Sequence, residues 1–256
     1  ARRWARRLPR ELLPLVGAVN APLERLDQAF RLQREFVADA AHELRTPLTA
    51  ITLQAQLLER AASPAESADA LVELKRGIAR STQLVERLLT LARLDATNDG
   101  EPAHPLDLGA LVEDCLVSLR PRARDRDIAL ASRIEPAVQV EGIDTALRSL
   151  VDNLLDNALR YTPRGGTIEV EVIPRRHGAL LRVCDSGPGI PDADRARVFD
   201  RFYRVPGTRG EGSGLGLAIV KRVADLHGAT LEITQSPLGG ACFEVEFGAS
   251  RTALPP

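Results

Sequence analysis

Two successive runs of apolar residues at heptad spacing constrain this 256-residue chain more than any other feature. In the first run Val37, Ala41, Leu44, Leu48, Ile51, Ala55 and Leu58 alternate steps of four and three. In the second, Leu71, Leu74, Ile78, Ser81, Val85, Leu88 and Ala92 alternate three and four. Such a pattern makes a helix with one narrow apolar seam. Between the runs, Ser63-Pro64-Ala65-Glu66 reads as a helix restart, with serine as N-cap, proline at the first helical position and glutamate placed to complete a capping box. The first helix is expected over Pro22–Ala61, preceded by a stretch, 8–27, whose helical spacing Pro14 and Pro22 interrupt. Two amphipathic helices joined by a short turn cannot bury both stripes well alone. A second copy of the hairpin would complete a four-helix bundle, so the pattern predicts a homodimer.

His42 falls outside the seam of the first helix, at a b position. Thr46 lies on the same outer face four residues later, beside Arg45. A histidine there is by default a surface residue. Its neighbour Glu43 changes the reading, because a carboxylate can orient the imidazole and take up its proton while a ring nitrogen acts as nucleophile. Pro47, in mid-helix, removes a backbone hydrogen bond and favours a local kink.

After the polar, glycine- and proline-broken stretch 97–105, which reads as a linker, the periodicity changes. A helix is expected near 108–120, short strands at 128–134 and 137–141, and a helix over 143–161. Strands follow at 167–173 and 179–185, then a helix at 214–227. A final hairpin pairs 230–235 with 241–247 through Gly239-Gly240. This is an α/β sandwich in layers. The segment from Ala249 onward is expected to be a disordered tail.

Four clusters in this second region carry chemistry. In the first, Asn153 and Asn157 share one face of a helix that continues through Arg160 and Tyr161, and their amide oxygens are hard ligands that suit Mg²⁺. In the second, Cys184-Asp185-Ser186-Gly187-Pro188-Gly189-Ile190 follows a strand. The glycines let backbone approach a ligand, and Asp185 can accept from an exocyclic amino group such as that of adenine. The third, residues 198–204, holds Phe199 and Phe202 with Arg201 and Arg204, which face either phosphates or solvent. In the fourth, Gly212, Ser213, Gly214, Leu215, Gly216 and Leu217 lead into a helix whose first amides can receive phosphate oxygens. Neither a Walker loop nor a Rossmann fingerprint is present. Only seven residues separate Arg204 from Gly212, so any lid over a nucleotide is short.

Taken with the string VADAAHELRTPL at residues 37–48, these four clusters resemble the sensor histidine kinases of bacterial two-component systems. The second region resembles the ATP-binding fold that those kinases share with gyrase-type topoisomerases, heat-shock chaperones and mismatch-repair ATPases. The resemblance covers about residues 30–248. It implies ATP with Mg²⁺, autophosphorylation on His42 assisted by Glu43, and transfer of the phosphoryl group to an aspartate of a response regulator. It further implies that Thr46 positions water for dephosphorylating that partner. Asn157 matches the Mg²⁺ ligand and Asn153 its companion, the second metal candidate. Arg160 stands near the phosphates and Tyr161 against adenine. The short lid and the wording around His42 point to a regulator of the winged-helix DNA-binding class. Residues 1–29 resemble the remnant of a HAMP linker, which implies domains at 30–96 (dimerisation and phosphoacceptor), 97–105 (linker), 106–248 (ATP binding) and 249–256 (tail).

Composition agrees with this organisation. Thirty-four Lys and Arg nearly balance 35 Asp and Glu, so direct nucleic-acid binding is not expected. The opening cluster Arg2, Arg3, Arg6 and Arg7 around Trp4 suits a membrane surface or a solvated terminus equally. Without a run of 18 apolar residues, no transmembrane helix is expected here. The absence of methionine suggests a fragment, the cytoplasmic portion of an inner-membrane protein anchored through other segments. Cys115, Cys184 and Cys242, odd in number and without CxxC spacing, read as small apolar residues, not as disulfides or metal ligands. Two other classes remain: an ATP-driven clamp, which would release phosphate only, and a degenerate scaffold, which would do neither.

Overall fold

The structure, a computed structural model, describes residues 13–61, 63–96, 102–176, 178–207 and 212–248. The arginine-rich opening, His177, residues 208–211 of the stretch where any lid would lie, and the tail from 249 lie outside the described residues. The chain divides into two compact units, Ala1–Ser81 and Thr82–Pro256, with the boundary inside the second helix.

Helix α1 spans Leu13–Arg60 and α2 spans Pro64–Ala96. The first helix is described from Leu13 onward and so reaches ahead of the expected Pro22, which inside the helix removes only the bond to the Ala18 carbonyl. The helix likewise runs through Pro47. The restart forms as its residues predict: Ser63 Oγ accepts the Glu66 N–H at 3.2 Å, and Pro64 is the first residue of α2.

Burial along α2 refines the seam. Ala70, Gly77, Leu84 and Leu91 are buried, at seven-residue intervals, while Leu74, Ser81 and Leu88 are half-buried. Gly77 belongs in that row because a Cβ there would stand 2.9 Å from Ile51 Cγ1 on α1. The expected positions Leu71, Ile78 and Val85 lie one residue further round and remain 40–49% exposed. On α1, Val37, Leu48, Leu53 and Leu57 are exposed as well. A second apolar stripe therefore stays uncovered in a single chain.

The α/β unit is built from β1 (His104–Asp107), α3 (Leu108–Arg124), β2 (Ala129–Ile134), β3 (Gln139–Gly142) and α4 (Asp144–Tyr161). There follow β4 (Thr167–Arg175), β5 (Gly178–Asp185), a 3₁₀ turn at Arg197–Phe199, α5 (Gly216–Leu226), β6 (Thr230–Gln235) and β7 (Ala241–Phe247). Strands β2-β4-β5-β7-β6 form one sheet, parallel between β2 and β4 and antiparallel elsewhere. The core face carries Ile168, Val170 and Val172 on β4, Val183 and Leu181 opposite them on β5, then Phe243 and Val245 on β7. All are nearly or wholly buried, together with Leu147, Leu150, Leu154 and Ile219 of the helices, which form the second layer.

Two expectations change. His104 and Pro105, read as linker, belong to β1, which pairs antiparallel with β3 in a separate two-stranded sheet. The strands expected at 128–134 and 137–141 both form, as β2 and β3, in different sheets. The second correction concerns sulfur. Cys184 and Cys242 are direct partners in the β5–β7 register and are joined in a disulfide. They lie 58 positions apart in the chain, so only strand pairing brings them together. Because side chains alternate across a strand, they lie on the face opposite Asp185. Cys115 alone fits the expectation, as a free buried thiol.

Candidate nucleotide site

Asp185 ends β5 and turns its side chain to the core face, where it is only 5% exposed. Its Oδ1 accepts the N–H groups of Gly187 at 2.8 Å and Ala241 at 3.2 Å. Its carbonyl accepts the Gly240 N–H at 3.2 Å. The turn between β6 and β7 thus wraps the end of β5, and a Cβ at Gly240 would collide with the Asp185 carboxylate. Burial raises the Asp185 carboxyl above the ordinary carboxylate range, and the two amide bonds offset only part of this. With Oδ1 engaged twice, Oδ2 is the acceptor left for a ligand.

A cleft of about 800 Å³, partly open to solvent, extends from this carboxylate. One side is the last turns of α4, with Asn157, Arg160 and Tyr161. Gly189 and Ile190 line it next to Asp185, with Ala241 and Phe243 of β7 behind. The other end is the glycine loop, Gly212, Ser213 and Gly214, running into Gly216 and Leu217 at the start of α5. Gly214 adopts φ +67°, and a Cβ there would press into Phe202 at 2.5 Å. Phe202, itself at φ +63°, donates its N–H to the Gly214 carbonyl at 3.0 Å. The loop is thereby held, and the first turn of α5, through Gly216 and Leu217, lines the cleft, an arrangement suited to phosphate oxygens. Apolar walls, one buried acceptor at one end and an amide-and-guanidinium end opposite fit an amphiphilic anion.

Of the expected residues, Asn157, Arg160, Tyr161, Asp185, Gly189, Ile190, Arg204, Gly212, Ser213, Gly214, Gly216 and Leu217 line this cleft. Four others stand behind or beside it. Asn153 donates to the Ser149 carbonyl at 2.7 Å, and its Oδ1 packs where a Cβ on Gly216 would be, 3.0 Å away. Gly187 lies against the Tyr161 carbonyl, Leu215 is fully buried, and Arg201 pairs with Asp95 on α2 at 2.7 Å. Asp95 also stands 3.0 Å from Arg222 Nε, and Arg222 Nη2 donates to the Leu94 carbonyl. Sequence reasoning missed Arg87, Pro188, Val198, Tyr203, Val205, Ala241 and Phe243 in the lining. Tyr203 was legible as part of its cluster: its hydroxyl donates to Asp194 and the Arg197 guanidinium stacks 4.3 Å from its ring centroid.

In the other unit, His42, Glu43, Arg45 and Thr46 are all exposed on α1, as the b-position assignment requires.

Comparison with known proteins gives this arrangement a family. Residues 142–251 match the model of histidine kinase-, DNA gyrase B- and HSP90-like ATPases. Residues 32–97, which hold His42, match the His Kinase A (phospho-acceptor) domain. The solved mycobacterial sensor histidine kinase MprB is 35% identical, with TM-score 0.51, over 57% of this chain and 98% of that one. This chain belongs to the sensor histidine kinases. Among curated kinases of the family, it is 43% identical to the sensor protein kinase PmrB of Pseudomonas aeruginosa over 96% of this chain and 51% of PmrB. It is 37% identical to the sensor protein QseC of Salmonella typhi, over 92% of this chain and 52% of QseC. The chain spans about half the length of these relatives. The histidine kinase AdeS of Acinetobacter baumannii, 22% identical with TM-score 0.65 over 82% of this chain, shares the fold. A helical hairpin followed by an α/β ATP-binding region is thus the family architecture. Among the described residues of this kinase, no helix is long and apolar enough to cross a membrane.

Proposed function

We propose that this chain is the transmitter region of a sensor kinase: it binds ATP in the cleft, phosphorylates His42 and passes the phosphoryl group to an aspartate of a response regulator. The observation that carries the reading is the cleft itself, with a buried carboxylate for an amino-bearing base at one end and helix amides with Arg160 and Arg204 for phosphates at the other.

In the first step a ring nitrogen of His42 attacks the γ-phosphorus. The bond to the β,γ-bridging oxygen breaks with its electron pair leaving on ADP, and Glu43 takes up the imidazole proton. Catalysis is chiefly positioning and charge neutralisation, supplied by the glycine loop and the guanidinium groups. The donor set fits Mg²⁺. Asn157 offers a hard amide oxygen in the cleft, and this ion is commonly held by few protein ligands plus substrate phosphates and water. When bound there, Mg²⁺ would neutralise phosphate charge. Asn153 is the weaker metal candidate, since its amide nitrogen is held by Ser149.

Domain limits follow the same reading, with the linker shortened by β1: a HAMP-like remnant through 29, the phosphoacceptor hairpin at 30–96, a linker at 97–103, the ATP-binding domain at 104–248 and a tail from 249. The uncovered stripe through Leu71, Ile78 and Val85 supports a homodimer completed as a four-helix bundle. The exposure of Thr46 one turn from His42 supports a role in holding water against an aspartyl phosphate, and with it a phosphatase activity toward the regulator. A winged-helix regulator and attachment to the inner membrane through segments outside this chain complete the proposal.

Incubation with γ-labelled ATP tests it. Acid-labile, base-stable label is expected on the wild-type chain and absent from His42→Gln, with ATP binding retained in both. Release of phosphate without protein label would favour an ATP-driven clamp. Label persisting in the variant would move the acceptor elsewhere; His227 is a poor substitute, since both of its ring nitrogens are engaged by Ile143 and Val223.

A further inference from the structure

The cleft contains one cationic side chain that belongs to none of the four nucleotide clusters. Arg87 comes from α2, and its side chain is only 14% exposed. Its Nη1 lies 3.4 Å from Ser213 Oγ in the glycine loop, and its Nη2 lies 3.5 Å from Asp156 Oδ2 on α4. That carboxylate is shared. Arg122 of α3 holds the other oxygen, Oδ1, at the shorter distance of 2.7 Å. Burial first, and the charge of Arg160 second, make the protonated state of Arg87 less favourable, and Asp156 offsets only part of this. Three arginines, Arg87, Arg160 and Arg204, thus line one cleft beside the first turn of α5, and the carboxylate nearest Arg87 is divided between it and Arg122. A largely desolvated cation with so little counter-charge calls for an anion carrying more than one charge.

We propose that Arg87 is a nucleotide-contacting residue that donates to the β- and γ-phosphate end of the bound nucleotide from the α2 helix. This rests on the reading of the cleft as an ATP site and goes beyond it. The phosphate chain becomes a link between the glycine loop and α2, so nucleotide charge state is read by a helix that also presents the uncovered apolar stripe. The alternative role for Arg87 is a structural strap, holding α2 to α4 through Asp156.

Titration calorimetry on the full chain with Mg·ATP, Mg·ADP and AMP separates these roles, using wild type, Arg87→Ala, Arg87→Lys and Asp156→Asn. Arg87→Ala should weaken ATP and ADP binding by about tenfold or more, the scale of one charge-assisted hydrogen bond. AMP affinity should stay within about twofold of wild type on the same scale, which also shows that the variant is folded. Arg87→Lys should recover part of the loss, because the charge returns without the fork. Asp156→Asn should bind ATP as well as wild type or better, since a competing anion is removed. Equal loss of ATP and AMP in Arg87→Ala, or equal loss in Arg87→Ala and Asp156→Asn, would show a strap and overturn the inference. Unchanged ATP affinity in Arg87→Ala, with wild type binding normally, would overturn it alone. A wild-type chain that binds none of the three nucleotides would overturn the ATP-site reading beneath it.

Discussion

Replacing Asp185 by asparagine should move nucleotide affinity and stability in opposite directions. The carboxylate has two duties in the structure. Oδ1 accepts the amides of Gly187 and Ala241, which fix the turn around the end of β5, and Oδ2 is left for the ligand. An asparagine oxygen can take over the first duty. Its NH₂ group must then stand at the ligand position, where it presents a donor to the exocyclic amino group of adenine, itself a donor. Losing a hydrogen bond to a charged acceptor costs about 1.5–3 kcal/mol, a fall in affinity of roughly 10- to 100-fold. Stability should not fall with it. Burial is the largest influence on this carboxyl and raises it, so the ionised form is disfavoured by folding at neutral pH. A group raised in the folded state loses stability as pH rises from its unfolded value toward its folded one, and asparagine does not titrate. Asp185→Asn should therefore melt at or above the wild-type temperature at pH 7.5. Calorimetric titration with ATP and thermal unfolding on the same sample check both halves. Wild-type affinity in the folded variant would remove Asp185 from ligand recognition. A melting temperature lowered by several degrees would show that the charge itself holds the turn.

Three further outcomes follow from the geometry. His227 donates from Nδ1 to the Val223 carbonyl and accepts the Ile143 N–H at Nε2, and burial lowers its affinity for a proton below the ordinary histidine value. Its unfolded form then binds protons first as pH falls below about 6.5, so stability present at pH 7.5 is lost on acidification; thermal melts should show this, with a flatter profile in His227→Gln, and parallel profiles would refute it. Unreduced, denatured protein should give one reactive thiol, Cys115, and three after reduction, whereas three before reduction would restore the expectation of free cysteines; in the native state Cys115 should be silent, because burial beside Asp152 pushes its thiol up to about 12. Ile78→Asp, on the uncovered stripe, should give monomers in sedimentation with the hairpin still folded, since the side chain is 49% exposed in a single chain, and an unchanged dimer would place the interface elsewhere.

The helices and most strands were legible because their patterns are local. Alternation of Phe243, Val245 and Phe247 on β7, or Ser63 capping α2, needs only neighbouring residues. What the sequence left open depends on pairing partners. Residues 104–107 carry a proline and no alternation, and they become a strand because β3 supplies an edge. The disulfide is of the same kind: Cys184 and Cys242 meet through the β5–β7 register, and each looked like an isolated small residue. The seam of α2 shows a finer limit. Leu74, Ser81 and Leu88 serve both stripes, so spacing alone cannot tell whether Leu71 or Ala70 completes the row facing α1. Gly77 decides it, because only glycine lets Ile51 come so near.

The cleft divides along similar lines. Glycine-rich and asparagine-bearing clusters announced themselves because a ligand that must touch backbone demands glycine, and a metal demands oxygen, at fixed spacing. Arg201 and Arg204 show where that logic stops. They lie three residues apart in one cluster, yet Arg204 lines the cleft and Arg201 is drawn away by Asp95 at the end of α2. The same stretch of α2 sends Arg87 into the cleft in return. An arginine on an amphipathic helix looks solvated in sequence, and no motif distinguishes Arg87 from Arg80 or Arg93. Its role depends on Asp156 and Ser213, 69 and 126 residues away, and on a carboxylate that Arg122 already holds more closely. That long-range competition for counter-charge, invisible to any local pattern, leaves a half-buried cation facing the cleft.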